Sequence, residues 1–106
     1  MDNDVASIMS NITPLFKRLS HTRYWIQIAN NPFDRCYNFY FNQQRGREPL
    51  RSTALYTCVN YDLNSLESLV TRLRHETQLT FVFAAFDDAK WPRAPTRIER
   101  KASDLE

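Results

Sequence analysis

Glycine is almost absent from this 106-residue chain: Gly46 is the only one. Phosphate-cradling loops and dinucleotide fingerprints need several glycines at fixed spacing, because only a backbone without Cβ can turn that tightly against a phosphate. Neither can be built here, which excludes P-loop and Rossmann chemistry. Long apolar runs are missing too. The longest, LTFVFAAF at 79–86, is the length of one buried strand and far short of a membrane span, so no membrane partner is expected. There are two cysteines and two histidines, at 36, 58, 21 and 75. No two of them have the close spacing of a zinc ligand pair, so no metal and no cofactor are expected. His21 and His75 are placed at helix ends, where an imidazolium suits the helix dipole. The acidic start, MDNDVASIMSNI, is unlike a signal or basic transit peptide, and a cytoplasmic protein is expected.

Charge is modest in sum and uneven in place. The net charge is +2, yet residues 17–51 hold Lys17, Arg18, Arg23, Arg35, Arg45, Arg47 and Arg51 against only Asp34 and Glu48. Arginine dominates lysine, and its planar fork suits carboxylates, phosphates and aromatic faces. A positive middle can steer an anionic partner.

Hydrophobic periodicity gives the elements. Val5, Ile8, Met9, Ile12, Phe16 and Leu19 form one helical stripe over about 4–20, interrupted by Pro14. RYWIQIA at 23–29, RCYNFYFN at 35–42 and TALYTCVNY at 53–61 alternate as strands. Asp62 or Asn64 caps a second helix whose stripe is Leu63, Leu66, Leu69, Val70 and Leu73. Residues 78–86 form a fourth strand. The expected class is α+β, in the order α-β-β-β-α-β, with an antiparallel four-stranded sheet and two helices on one face. The domain is expected to span 1–88. Residues 89–106 form a polar, Pro-containing C-terminal tail with Asp87-Asp88 just before it; its Trp91 and Ile98 could fold back over Val82, Ala84 and Phe86, as could a second subunit.

Matching core face to core face pairs Tyr24 with Phe41, Ile26 with Phe39 and Ile28 with Tyr37 in the first hairpin. The second hairpin then pairs Phe39 with Thr57, Phe41 with Leu55 and Tyr37 with Val59. On the opposite face this places Trp25 and Tyr40 side by side with Tyr56, ringed by Arg23, Gln27, Asn38 and Asn60. Cys36 and Cys58 fall on one face of adjacent strands, as reduced thiols in a cytosolic chain.

Exposed Trp and Tyr beside Arg are the residue types that most often anchor binding energy. The expected function is therefore a small, non-enzymatic protein-binding regulator or inhibitor. Trp25, Tyr40, Tyr56, Arg23, Arg45, Arg47 and Arg51 are the expected contacts, and the partner is a larger protein or a second copy in a homodimer. Compact chains of this kind are frequent accessory products of phages and plasmids that block a larger host complex, an expectation that rests on size class and on no particular residue. The alternative is nucleic-acid binding, with bases stacked on the sheet aromatics and phosphates held by the loop arginines. The α-β-β-β-α order resembles the double-stranded-RNA-binding domain in topology. That family places a Lys-rich cluster at the start of its second helix, where this chain has the acidic DLNSLESL. The same order followed by a strand also resembles class I secretion chaperones, which are dimeric partner-binders.

Overall fold

The computed structural model describes residues 2–15, 21–87, 89–93 and 96–99. Phe16 and Leu19 of the expected helical stripe, and Asp88 of the acidic pair, lie outside the described residues, as do the last residues of the tail. The order is α1 (Asp2–Ile12), β1 (Thr22–Asn31), β2 (Cys36–Arg45), β3 (Arg51–Cys58), α2 (Leu63–Glu76) and β4 (Thr80–Ala84). None of these helices is long and apolar enough to cross a membrane.

α1 ends where Pro14 requires it: a turn over 13–15 follows, with the Thr13 amide bonded to the Met9 carbonyl at 3.1 Å. α2 begins at Asp62, whose carboxylate accepts from the Ser65 amide at 2.9 Å, and Arg74 and His75 occupy its last turn. His21 directly precedes β1 with a left-handed φ of 57°, and its carbonyl accepts the Gly46 amide at 3.0 Å; the helix end expected before it falls on residues 16–20, outside the described residues.

The sheet order is β3-β2-β1-β4. β1, β2 and β3 form an antiparallel meander, but β4 runs parallel to β1, so the sheet is mixed rather than fully antiparallel. The cause is the connection. β3 and β1 run the same way, and α2 carries the chain back to the end where both begin, so the next strand must repeat their direction. Both helices pack on one face: Val5, Ile8 and Ile12 of α1 and Leu66, Leu69, Val70 and Leu73 of α2 close over Ile26, Ile28, Tyr37, Phe39 and Phe41.

The register differs from expectation in two ways. In the first hairpin Ile26 pairs with Phe41 and Ile28 with Phe39, a slide of two residues that leaves every side chain on its expected face. In the second hairpin a bulge between Phe39 and Tyr40 places Tyr56 opposite Phe39 and Cys58 opposite Tyr37, while Ala54 faces Tyr40. The bulge turns both Leu55 and Tyr56 inward, and Asn11 of α1 donates to the Leu55 carbonyl at 2.7 Å.

β4 ends at Ala84, and the φ of 64° at Ala85 just after it reverses the side-chain alternation. Phe86, expected on the outer face with Val82, is buried instead, stacked on Tyr37 with ring centroids 6.0 Å apart. The segment after it folds back: Lys90 bridges Arg97, Trp91 meets Phe83 edge-on at 5.3 Å, and Ile98 is buried in the core cluster. Trp91 and Ile98 thus pack on the helix side of the sheet, and Val82 on the other side remains 43% exposed.

Candidate functional site

The face of the sheet away from the helices is built by alternation. β1 contributes Arg23, Trp25, Gln27 and Ala29; β2 contributes Asn38, Tyr40, Asn42 and Gln44; β3 contributes Ser52, Ala54 and Thr57; β4 contributes Thr80 and Val82. Trp25 pairs with Asn42 and Gln27 with Tyr40, so the two aromatics are diagonal rather than side by side. Both are partly exposed. Asn42, flanked by them in the register, is 1% exposed.

A buried amide must be satisfied, and here it is satisfied across three strands. Asn42 donates through Nδ2 to Gln27 Oε1 at 2.8 Å and accepts from Ser52 Oγ at 2.6 Å. Thr57 Oγ1 donates to Asn38 Oδ1 at 3.0 Å, and Arg23 donates to Gln44 Oε1 at 3.2 Å. This amide and hydroxyl ladder fixes the side chains between Trp25 and Tyr40. A surface whose rotamers are already held loses less entropy on binding than a mobile one.

Of the seven expected contact residues, three share this face: Trp25, Tyr40 and Arg23. Tyr56 does not, because the β3 bulge turns it toward the helices. Its ring meets Phe39 at 6.3 Å in a T-shaped contact, and its hydroxyl donates to the Asp4 carboxylate of α1. That hydrogen bond, with burial second, raises its phenol to about 12. Arg45 and Arg51 lie at the far end of the β2–β3 hairpin, on the opposite side of the pleat from Trp25. They line a shallow depression of about 230 Å³ with Thr22, Gln43, Glu48 and Pro49. Arg47 is exposed on the loop beyond it. Asn60, expected at the rim of the face, follows β3 and donates to Ser65 Oγ at 3.0 Å.

The bulge also separates the cysteines. Cys58 faces the core opposite Tyr37, whereas Cys36, one position before Tyr37, takes the other side of the pleat; both are buried free thiols. Burial pushes the Cys58 thiol up. Among the described residues no group of three or more His, Cys, Asp or Glu side chains gathers to hold a metal ion. Arg23 is the one charged side chain the four strands place on the outer face, and no carboxylate or imidazole accompanies it. Such a face can stack, hydrogen-bond and exclude water.

Asn42 is the residue of this site that sequence reasoning missed. A polar residue at an outward strand position is ordinary, and only its two cross-strand partners show that it is a fixed part of the surface. No protein-family model matches the chain, and no curated protein or solved structure matches it either, so its likeness to the double-stranded-RNA-binding domain and to class I secretion chaperones is one of element order alone.

Proposed function

We propose that this is a non-enzymatic binding module of the cytoplasm that docks a protein partner on the outer sheet face around Trp25 and Tyr40. The observation that carries this reading is the one-sided cover of the sheet. Two helices bury one face, while the other holds two partly exposed aromatics over a hydrogen-bonded amide ladder. Trp, Tyr and satisfied amides with little charge resemble the centre of a protein interface more than a phosphate-binding surface. Nucleic-acid binding is less favoured because Arg45 and Arg51 lie across the sheet from the aromatics, so one strand of nucleic acid cannot stack on Trp25 and meet both arginines on a flat path. Blocking a larger assembly is the form of regulation such a small module can exert, and a second copy is the other occupant the face can take.

The test is site-specific photocrosslinking in the native host. A photoreactive phenylalanine analogue replaces Tyr40, and in a control variant it replaces Val59, which is 82% exposed and lies beyond the end of β3. A discrete protein adduct from position 40 that is absent from position 59, and lost on adding Trp25→Ala to a variant that still melts cooperatively, is the expected result. An adduct of twice the chain mass identifies a homodimer. Adducts with nucleic acid, or equal adducts from both positions, overturn the assignment.

A further inference from the structure

The β3 bulge leaves a second register within reach. On the hairpin side of it Phe41 pairs with Thr53 and Tyr40 with Ala54; beyond it Phe39 pairs with Tyr56 and Tyr37 with Cys58, and Leu55 has no cross-strand partner in the register. Two ties from α1 hold this arrangement. Asn11 Nδ2 donates to the Leu55 carbonyl at 2.7 Å, and the Tyr56 hydroxyl donates to the Asp4 carboxylate. Carrying the Phe41–Thr53 register onward without the bulge pairs Phe39 with Leu55, Asn38 with Tyr56, Tyr37 with Thr57 and Cys36 with Cys58. The core face of β3 is then Leu55, Thr57 and Val59, the strict alternation of the sequence. Val59, 82% exposed in the bulged register, is the residue that gains cover. Tyr56 turns to the outer face, diagonal to Tyr40. The advance of one residue, about 3.3 Å of strand, falls on the connection 59–62 between β3 and α2.

We infer that β3 is a redox-linked register switch, in which a disulfide between Cys36 and Cys58 selects the register without the bulge and so turns Tyr56 onto the face that carries Trp25 and Tyr40. In the bulged register the two free thiols take opposite sides of the pleat and cannot bond. In the other register they are directly opposite, at a Cα separation of about 4.5–5.5 Å, inside the range of about 4.4–6.8 Å that a disulfide spans. The co-reactant is a small-molecule disulfide such as oxidised glutathione. One cysteine thiolate attacks it and releases a first glutathione thiol; the other attacks the mixed disulfide and releases a second. The two protein thiols give up their protons and one electron each, and the glutathione disulfide takes up both. Burial pushes the Cys58 thiol up, so the bulged form holds it unreactive and exchange follows loss of the bulge. Excess reduced glutathione reverses the reaction, and Asn11 and Asp4 recover their partners. The switch does not depend on what docks on the outer face.

The test equilibrates the full chain with oxidised and reduced glutathione, without denaturant. The expected product is a monomer that has lost two hydrogens, with Cys36 and Cys58 joined in a non-reducing peptide map. In it the nuclear Overhauser contact of the Tyr56 ring moves from Phe39 to Tyr40, and the Tyr56 phenol falls from about 12 toward its ordinary value near 10. The Val59 methyl groups become shielded from a soluble paramagnetic probe. Asn11→Ala removes the donor to the Leu55 carbonyl and raises the equilibrium constant for oxidation about fivefold. Tyr56→Phe keeps the ring, loses the tie to Asp4 and acts in the same direction by a similar factor. Cys36→Ser stays in the bulged register at every glutathione ratio. Glutathionylated chains or intermolecular dimers as the only products, a Cys36–Cys58 disulfide in which Tyr56 keeps its contact with Phe39, or an equilibrium constant unmoved by both Asn11→Ala and Tyr56→Phe overturns the inference.

Discussion

Tyr56→Phe is the most informative single change in the protein. It keeps the aromatic ring against Phe39 and removes only the hydroxyl that Asp4 accepts. A hydrogen bond to a charged group contributes about 1.5–3 kcal/mol when fully buried. Tyr56 is only partly buried, and water replaces some of the lost bond, which brings the expected cost to roughly 1 kcal/mol. For a domain of this size that lowers Tm by about 4 °C. Asp4→Ala loses the same bond together with a carboxylate in the first turn of α1, where the helix dipole favours negative charge by about 0.5 kcal/mol. The two substitutions and their combination form a double-mutant cycle in urea, followed by circular dichroism. The expected coupling is roughly 1 kcal/mol. Single costs that add to within about 0.3 kcal/mol would refute the inward placement of Tyr56 and its tie to α1. A Tyr56 on the outer face predicts no change in stability at all.

Two further outcomes follow from the core. Tyr37, raised to about 12 by burial first and then by Tyr61 and Asp62, and Tyr56, also raised to about 12, keep their protons in the folded protein where an unfolded phenol ionises near 10. Their contribution to stability is therefore complete below pH 10 and is lost as pH rises toward 12; a tyrosinate absorbance titration should show two late steps, and Tyr56→Phe should remove one. Phe39, with no exposed surface, sits at the centre of the cluster beneath both helices. Phe39→Ala should cost about 3–5 kcal/mol, and a measured loss below about 1 kcal/mol in urea would show that the core is not packed around that ring.

Much of the fold could be read from the chain, and each failure has its own physical cause. Helical spacing marked Val5, Ile8 and Ile12 in α1 and Leu66, Leu69, Val70 and Leu73 in α2, and strict alternation marked Ile26, Ile28, Phe39 and Phe41. A two-residue slide of β2 against β1 keeps all of these inside, so hydrophobic pattern alone cannot choose between registers. The β3 bulge is a different failure. Perfect alternation puts Leu55, Thr57 and Val59 on one face, but the chain buries Leu55 and Cys58, packs the partly buried Tyr56 against the core, and leaves Val59 82% exposed. Adjacent apolar residues Leu55 and Tyr56 were the available signal. The direction of β4 was legible in principle, since a strand, a helix and another strand in one sheet run parallel. The site divided along these lines: Trp25, Tyr40 and Arg23 depended on β1 and β2 parity and stayed together, whereas Tyr56 depended on a bulge and moved away. Ala85 could not be anticipated, because its positive φ belongs to a residue type that rarely adopts it.

The parallel pairing of β1 with β4 also sets an order of events during synthesis. Trp25 faces Thr80, about 55 residues later in the chain. At translation rates of about 5–20 residues per second, β1 leaves the ribosome roughly 3–11 seconds before the strand that closes its edge. Throughout that interval the β1 edge, with Ile26 and Ile28 in it, is open to any extended chain nearby. The nascent protein is thus most vulnerable to mispairing at the edge its last strand will close, and a chaperone that shields three-stranded intermediates would matter more to its yield than to its final stability.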